Sequence, residues 1–282
     1  MPSFPTPGPV DLRVRIGEGE VTVVAADRTD TEVDVSPANP ASRGDVELAE
    51  ATRVEHTGDT IVVEAPEQRH GWILGRSAAI LVRVGVPEGS SARIAVSSAD
   101  VRCRGRLGDV ETKTASGDVE VDHAEALSVQ TASGDIEVRE AHGDARLGTA
   151  SGDIALFDVS GSAQLSTASG DVYVGHAVGD VGVKAASGDT AIDAADASVT
   201  IKSASGDAEL RRVRSGTVTL ETASGDVGVA IAEGTAAWLD VQSLTGDVRS
   251  SLDDADGPVE GSETVRVRAR TISGDVSITR AS

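Results

Sequence analysis

Seven aspartates recur at almost constant spacing in this 282-residue chain: Asp118, Asp135, Asp153, Asp171, Asp189, Asp207 and Asp226. Each ends a Ser-Gly-Asp triplet, with serines at Ser116, Ser133, Ser151, Ser169, Ser187, Ser205 and Ser224. The triplet returns at Ser273, and a Thr-Gly-Asp variant begins at Thr245. A second, patchier set holds Asp109, Asp144 and Asp180. A column of carboxylates can do one of two things. It can bind cations, with Ca²⁺ favoured because it takes many carboxylate and carbonyl oxygens. Or each carboxylate can accept backbone N–H bonds within its own corner, as an Asx-turn does. Calcium-binding rolls use G-G-x-G-x-D-x-φ, with φ aliphatic and the Asp two residues before it. Here a single Gly precedes the Asp and the apolar residue follows directly. The local corner is therefore the expectation. A Ca²⁺ ladder on Asp118, Asp135, Asp153, Asp171, Asp189, Asp207 and Asp226 is the alternative, and no cofactor is otherwise expected.

The remaining reactive groups do not assemble into known chemistry. His123 and His176 hold equivalent places three repeats apart, about 14 Å at strand spacing, too far to share a metal. Ser133 and its equivalents have no His in register and no G-x-S-x-G elbow. Gly179-Asp-Val-Gly182 and Gly17-Glu-Gly19 do not complete a phosphate loop. The threonines Thr114, Thr131, Thr149, Thr167 and Thr222 lack the paired T-x-T spacing of an ice-binding face. A carbohydrate-active β-helix enzyme would need loops to wall a groove, and there is almost no room for them between Leu107 and Gly225. No catalytic residue is assigned, and a non-enzymatic chain is expected.

What must position these residues is a repeat. Ser133 to Ser205 is four steps of 18 residues, and each step divides into two nine-residue halves. Ser133-Gly-Asp-Ile-Glu-Val-Arg-Glu-Ala141 is followed by His142-Gly-Asp-Ala-Arg-Leu-Gly-Thr-Ala150. Each half runs small-Gly-Asp, then an apolar-polar-apolar triplet. Period-two alternation predicts strands, and nine residues leave no space for a crossover helix. The fold class is all-β: a parallel β-solenoid (β-helix or β-roll) of ~18-residue, two-strand coils stacked about 4.8 Å apart. One interior face is Val119/Val121, Ile136/Val138, Ile154/Leu156, Val172/Val174, Ile192, Leu210 and Val227/Val229. The other is Leu127/Val129, Leu147, Leu165, Val181/Val183, Val199/Ile201 and Val218/Leu220. These branched side chains suit two sheets about 10 Å apart.

Three regions are expected. Residues 1–9 are Pro-rich and read as a disordered tail. Residues 10–100 read as an irregular β segment that opens and caps the solenoid. Residues 101–282 read as the Ser-Gly-Asp solenoid, looser after Ser224. In the second region, Val10–Ile16 and Glu20–Val24 are strands about a tight turn at Gly17–Gly19. Thr31–Val35 is a strand, 37–44 a loop, Thr52–His56 and Thr60–Glu64 a hairpin. Residues 66–77, with Arg69, His70, Trp72 and Arg76, read as a surface loop. Ala79–Val86, Ala92–Val96 and Val101–Cys103 are strands. Trp238 is expected to plug the far end, near an acidic loop at 253–261. No helix is expected.

The formal net charge of −21 argues against nucleic acid, which needs a basic stripe, and against an anionic membrane surface. Cys103 is the single cysteine, so no intrachain disulfide forms. The N-terminus lacks a basic and apolar leader, and no apolar run reaches membrane length. A cytoplasmic location without membrane insertion is the expectation.

The T-x-S-G-D-φ-x-φ units from Thr114 to Val229 and at Thr271–Ile278, with the opening strands Val10–Val24, resemble the bacterial "putative adhesin" β-strand-repeat family, a domain of unknown function. The resemblance covers nearly the whole chain. It implies a β-solenoid with no catalytic residues, related to domains of envelope-stress systems. It also implies an interaction role, with another protein or with itself as partner. The expected function is thus a non-enzymatic scaffold or protein-interaction module. Exposed positions such as Glu137, Tyr173 and Glu209 vary between repeats, as a binding face allows.

Overall fold

The computed structural model describes residues 2–66, 77–252 and 263–281. The chain divides into two compact units, Met1–Glu140 and Ala141–Ser282. Both are built almost entirely of strands, as the alternating pattern requires. The first unit contains β1 (Ser3–Pro5), β2 (Asp11–Ala26), β3 (Asp30–Pro37), α1 (Arg43–Ala51), β4 (Arg53–Thr57) and β5 (Thr60–Glu64). It continues with β6 (Ala79–Pro87), β7 (Ser91–Leu107), β8 (Val110–Lys113), β9 (Val119–Ala124) and β10 (Leu127–Gln130), and the boundary falls inside β11 (Ile136–Ala141).

In this first unit the parallel ladder already includes β2, which lies between β6 and β7 with β5 alongside β6's side of it. β2 and β7 are each a whole coil in one continuous strand. Thus β7 pairs with β8 through Ala92–Ala95 and with β9 through Val101–Leu107. The tight turn expected at Gly17–Gly19 is absent, because β2 stays laddered on both sides and bends without leaving the sheet. Gly19 makes that bend at φ 130°, where a Cβ would sit 1.8 Å from the Ile80 carbonyl oxygen. The separate strands expected at 92–96 and 101–103 are likewise one.

The edge of this unit is closed by antiparallel strands. β4 pairs with β5 as the expected hairpin, β3 pairs with β6, and β1 pairs with β3. The N-terminal residues are therefore not a tail: Ser3–Pro5 is an ordered edge strand. The absence of a helix is also overturned. α1 occupies Arg43–Ala51, with Leu48 buried. Its cap is Ser42, whose hydroxyl accepts the Asp45 N–H at 3.4 Å. The Asp45 carboxylate in turn accepts the Ser42 hydroxyl at 2.8 Å and the Asn39 N–H at 3.0 Å. Arg69, His70, Trp72 and Arg76 lie outside the described residues.

The second unit holds β12 (Ala145–Ser151), β13 (Ile154–Val159), β14 (Ala163–Ser169), β15 (Val172–Ala177), β16 (Val181–Ser187), β17 (Thr190–Ala195) and β18 (Val199–Ser205). It continues with β19 (Ala208–Val213), β20 (Gly216–Ser224), β21 (Val227–Ile231), β22 (Ala236–Ser243), β23 (Val248–Ser250), β24 (Thr264–Ser273) and β25 (Val276–Arg280). Its strands form two parallel ladders. One runs β12-β14-β16-β18-β20, the other β13-β15-β17-β19-β21. Register repeats the sequence period: Leu147 faces Leu165, which faces Val183, which faces Ile201. At the end the order is not sequential. β24 inserts between β20 and β22, and β25 between β21 and β23. Trp238 is no plug: it lies on the outward face of β22 and is 60% exposed. The acidic loop at 253–261 lies outside the described residues.

Each unit is thus a parallel β-solenoid. Every interior aliphatic anticipated above, from Val119 to Val229, is buried. Cys103 joins this interior, and burial pushes its thiol up to about 12.

Coil stacking brings corner backbones within van der Waals range, and Gly188 shows the consequence. It adopts φ 114°, and a Cβ there would lie 2.2 Å from the Gly170 carbonyl oxygen. Gly58 has φ 60° with open space around it. Gly188→Ala is expected to cost about 3 kcal/mol, from strain plus a backbone clash. Gly58→Ala should cost only the local conformational term, about 1 kcal/mol. Equal losses in urea unfolding of the two variants would refute the stacking argument.

Candidate interaction surface

The aspartate column is real, but its bonds are not local. Within the first unit, Asp118 Oδ1 accepts the backbone N–H of Asp135 at 3.0 Å, and Asp100 Oδ1 accepts that of Asp118 at 3.2 Å. Within the second, Asp153 accepts from Asp171 at 2.7 Å, Asp171 from Asp189 at 2.8 Å, Asp189 from Asp207 at 2.8 Å and Asp207 from Asp226 at 2.8 Å. The run then follows space instead of sequence. Asp226 accepts from Asp275 at 2.7 Å, and Asp275 from Asp247 at 2.9 Å. The expected Asx-turn is corrected: these carboxylates satisfy the corner N–H of the neighbouring coil, because parallel stacking leaves that donor pointing along the stack.

The rest of the motif is used the same way. The Ser187 carbonyl accepts the N–H of Gly170, and the Ser224 carbonyl that of Gly206. Thr222 donates its hydroxyl to the Gly206 carbonyl at 3.4 Å, and Thr271 to that of Gly225 at 3.1 Å. These threonines are buried, along with Thr131, Thr149 and Thr167, so they present no flat outer face. On the second corner, Asp144 and Asp180 accept the backbone N–H groups of Ser162 and Ser198, each at 3.0 Å. The Ser162 bonds hold the Asp144 carboxyl below the usual carboxylate range. That group therefore adds stability above its ordinary pKa and loses it as pH falls through the lowered value.

The histidines stay apart. His123 meets Glu140 at 2.9 Å, and His176 lies 3.1 Å from Asp196 and 3.8 Å from Asp158. Among the described residues, no group of three or more His, Cys, Asp or Glu side chains comes together to hold a metal ion.

A different cluster forms on the outer face of the β13-β15-β17-β19 ladder. Phe157 and Tyr173 meet edge to face at 5.7 Å between ring centroids. Tyr173 donates its hydroxyl to Asp193 Oδ2 at 2.6 Å, a bond that raises the phenol's pKa. Arg211 donates to Asp193 Oδ1 at 2.7 Å and to Glu209 at 2.9 Å. Small residues flank the rings: Ala155 and Ala191 stand beside Tyr173 in the ladder. Phe157 remains 40% exposed. The sequence shows Tyr173 on an outward position but does not join it to Phe157. Phe157 lies two residues beyond Ala155, the ladder partner of Tyr173, so alternation places both rings on the same outward face; what the sequence does not show is the register that brings the two strands side by side.

A family model described as Toastrack DUF4097 matches residues 11–215 and 178–279. Solved structures that align include a putative adhesin from Parabacteroides merdae, at 12% identity over 99% of this chain and 95% of that one, TM-score 0.41. A putative adhesin from Bacteroides fragilis aligns at 11% identity over 98% and 95%, TM-score 0.33. A putative cell adhesion protein from Clostridium sporogenes aligns at 10% identity over 99% and 98%, TM-score 0.24. No curated protein matches the chain.

Two outcomes follow from the corner bonds. Asp171→Ala leaves the Asp189 N–H without its acceptor and should lower the melting temperature by about 2–4 °C. Asp171→Asn keeps an acceptor oxygen and should fall less. Melting in millimolar Ca²⁺ and in excess chelator should coincide, since the carboxylates from Asp153 to Asp207 are already engaged by backbone N–H groups. A calcium-dependent rise, which tight native-state binding would produce, would restore the cation ladder.

Proposed function

The chain belongs to the Toastrack DUF4097 family, and on that premise we propose that it is a non-enzymatic β-solenoid scaffold whose lateral face binds another protein. One observation carries this reading. The chemically capable residues of the repeat are consumed in holding coil to coil, whereas the outward columns change from coil to coil. At the position of Tyr173, adjacent strands carry Ala155, Ala191 and then Glu209. The Phe157–Tyr173 pair, braced by Asp193 and Arg211, is the most organised point on that face. Aromatic and Arg side chains held in place before binding lose little entropy when a partner arrives, which is why they dominate interface energetics. An adhesin-like attachment through this face is the form of binding proposed.

The reading is tested by cross-linked capture from bacterial extract, followed by titration of the purified captured protein. The double variant Phe157→Ser/Tyr173→Ser should weaken binding by about 2 kcal/mol or more. Lys184→Ala, an exposed change on β16 in the other ladder, should leave it unchanged. Equal affinity for both variants and the parent chain would exclude this face.

A further inference from the structure

We propose that the β22–β23 edge of the second unit pairs with the same edge of a second copy, giving a closed two-fold dimer. Among the described residues, β22 pairs only with β24 and β23 only with β25. No strand among the described residues pairs with the other side of either. The interior is uncovered there as well. Leu239 stands in line with buried Val267 and Val248 in line with buried Val276, yet they are 41% and 49% exposed. Trp238, Leu244 and Ile272 are also exposed nearby. Five of the eight exposed large hydrophobics among the described residues lie in this region. A bare edge beside an exposed core is the feature solenoids ordinarily cover.

The occupant follows from what each edge of the chain offers. In the first unit, the ladder edge at β5–β6 is closed by β4 and β3, and β3 is closed by the short strand β1. Pro2 and Pro5 flank and end β1, and Arg53 and Glu55 occupy the β4 edge. Among the described residues of that unit, no second bare parallel-ladder edge is available for head-to-tail growth. A second copy therefore offers β22–β23 its own equivalent, and an isologous contact of this kind closes at two chains.

The side chains of β22 agree with an antiparallel pairing. Ala237, Leu239 and Val241 face inward, aligned with Val265, Val267 and Ala269. Trp238 and Asp240 face outward. A two-fold axis at Leu239 sets Leu239 against its counterpart and Ala237 against Val241. It sets Trp238 against Asp240, whose carboxylate is already held by Arg268 at 3.1 Å and Arg270 at 3.3 Å. An axis at Asp240 would oppose two carboxylates and is disfavoured. An eight-residue strand and two sheets about 10 Å apart span roughly 300 Å² per copy. That is well below the ~800 Å² per partner of a standard interface, so the dimer should be weak and reversible.

Sedimentation velocity of the full chain over a concentration series, at physiological salt, reads this directly. The expected result is a monomer–dimer equilibrium with no larger species. Leu239→Lys places a charge on the uncovered core column and should weaken the dimer by more than about tenfold. Val241→Pro removes an N–H that, by the strand's two-residue period, points away from β24. It should do the same while the circular dichroism spectrum stays unchanged. A chain monomeric throughout, growth beyond dimers, or a dimer that survives both substitutions would overturn the proposal.

Discussion

Along the Ser-Gly-Asp corner, carboxylates of one coil take the backbone N–H of the next, as Asp153, Asp171, Asp189 and Asp207 do. Aligned carboxylates at coil spacing repel by about 0.9 kcal/mol per neighbouring pair in water, and salt reduces this. A hydrogen bond to a charged acceptor contributes about 1.5–3 kcal/mol net. The bond wins, so a column of like charges is tolerated and even needed. The rest of the repeat is built around it. Glycine lets the corner approach its neighbour's carbonyl, the serine carbonyl takes the glycine N–H, and at Thr167, Thr222 and Thr271 a threonine hydroxyl takes a glycine carbonyl.

This division of labour explains where variation is allowed. Changing Gly188 or Asp171 disturbs backbone shared by two coils. Changing an outward residue disturbs only solvent and its neighbours in the column. The outer faces accordingly carry different groups at equivalent positions, including crossed ion pairs such as Arg102 with Glu20 and Glu120. Pairs this exposed contribute little to stability. They are better understood as the texture of a surface, and the braced aromatic pair at Phe157 and Tyr173 is its most organised part.

The ends obey a different logic from the middle. A solenoid interior is covered by the next coil, so a terminal coil must find a substitute. The first unit uses antiparallel strands, which can close a parallel ladder because their exposed side need not be continued. In the second unit the last strands in sequence, β24 and β25, are interior, and earlier strands form the rim. Both units thus interleave a terminal coil between neighbours, which ties the chain end into two ladders instead of one.

The period, the interior columns and the parallel β-solenoid class were legible in the residues alone, because two-residue alternation and an 18-residue repeat report local backbone geometry directly. So were the hairpin at Thr60 and the buried strand at Ala79. Other features depended on what lay alongside. The Gly17–Gly19 bend was indistinguishable from a turn, since only pairing on both sides keeps β2 continuous. α1 was missed although Ser42 and Asp45 carry a capping signal, because strand alternation dominates its surroundings. Trp238 reads as a plug for the far end, but in β22 it stands in line with Arg266 on the outer face. The carboxylates were correctly read as backbone acceptors and wrongly as local ones. Residue type and spacing determine that an Asp will seek an N–H at a corner; only stacking decides that the donor belongs to the next coil.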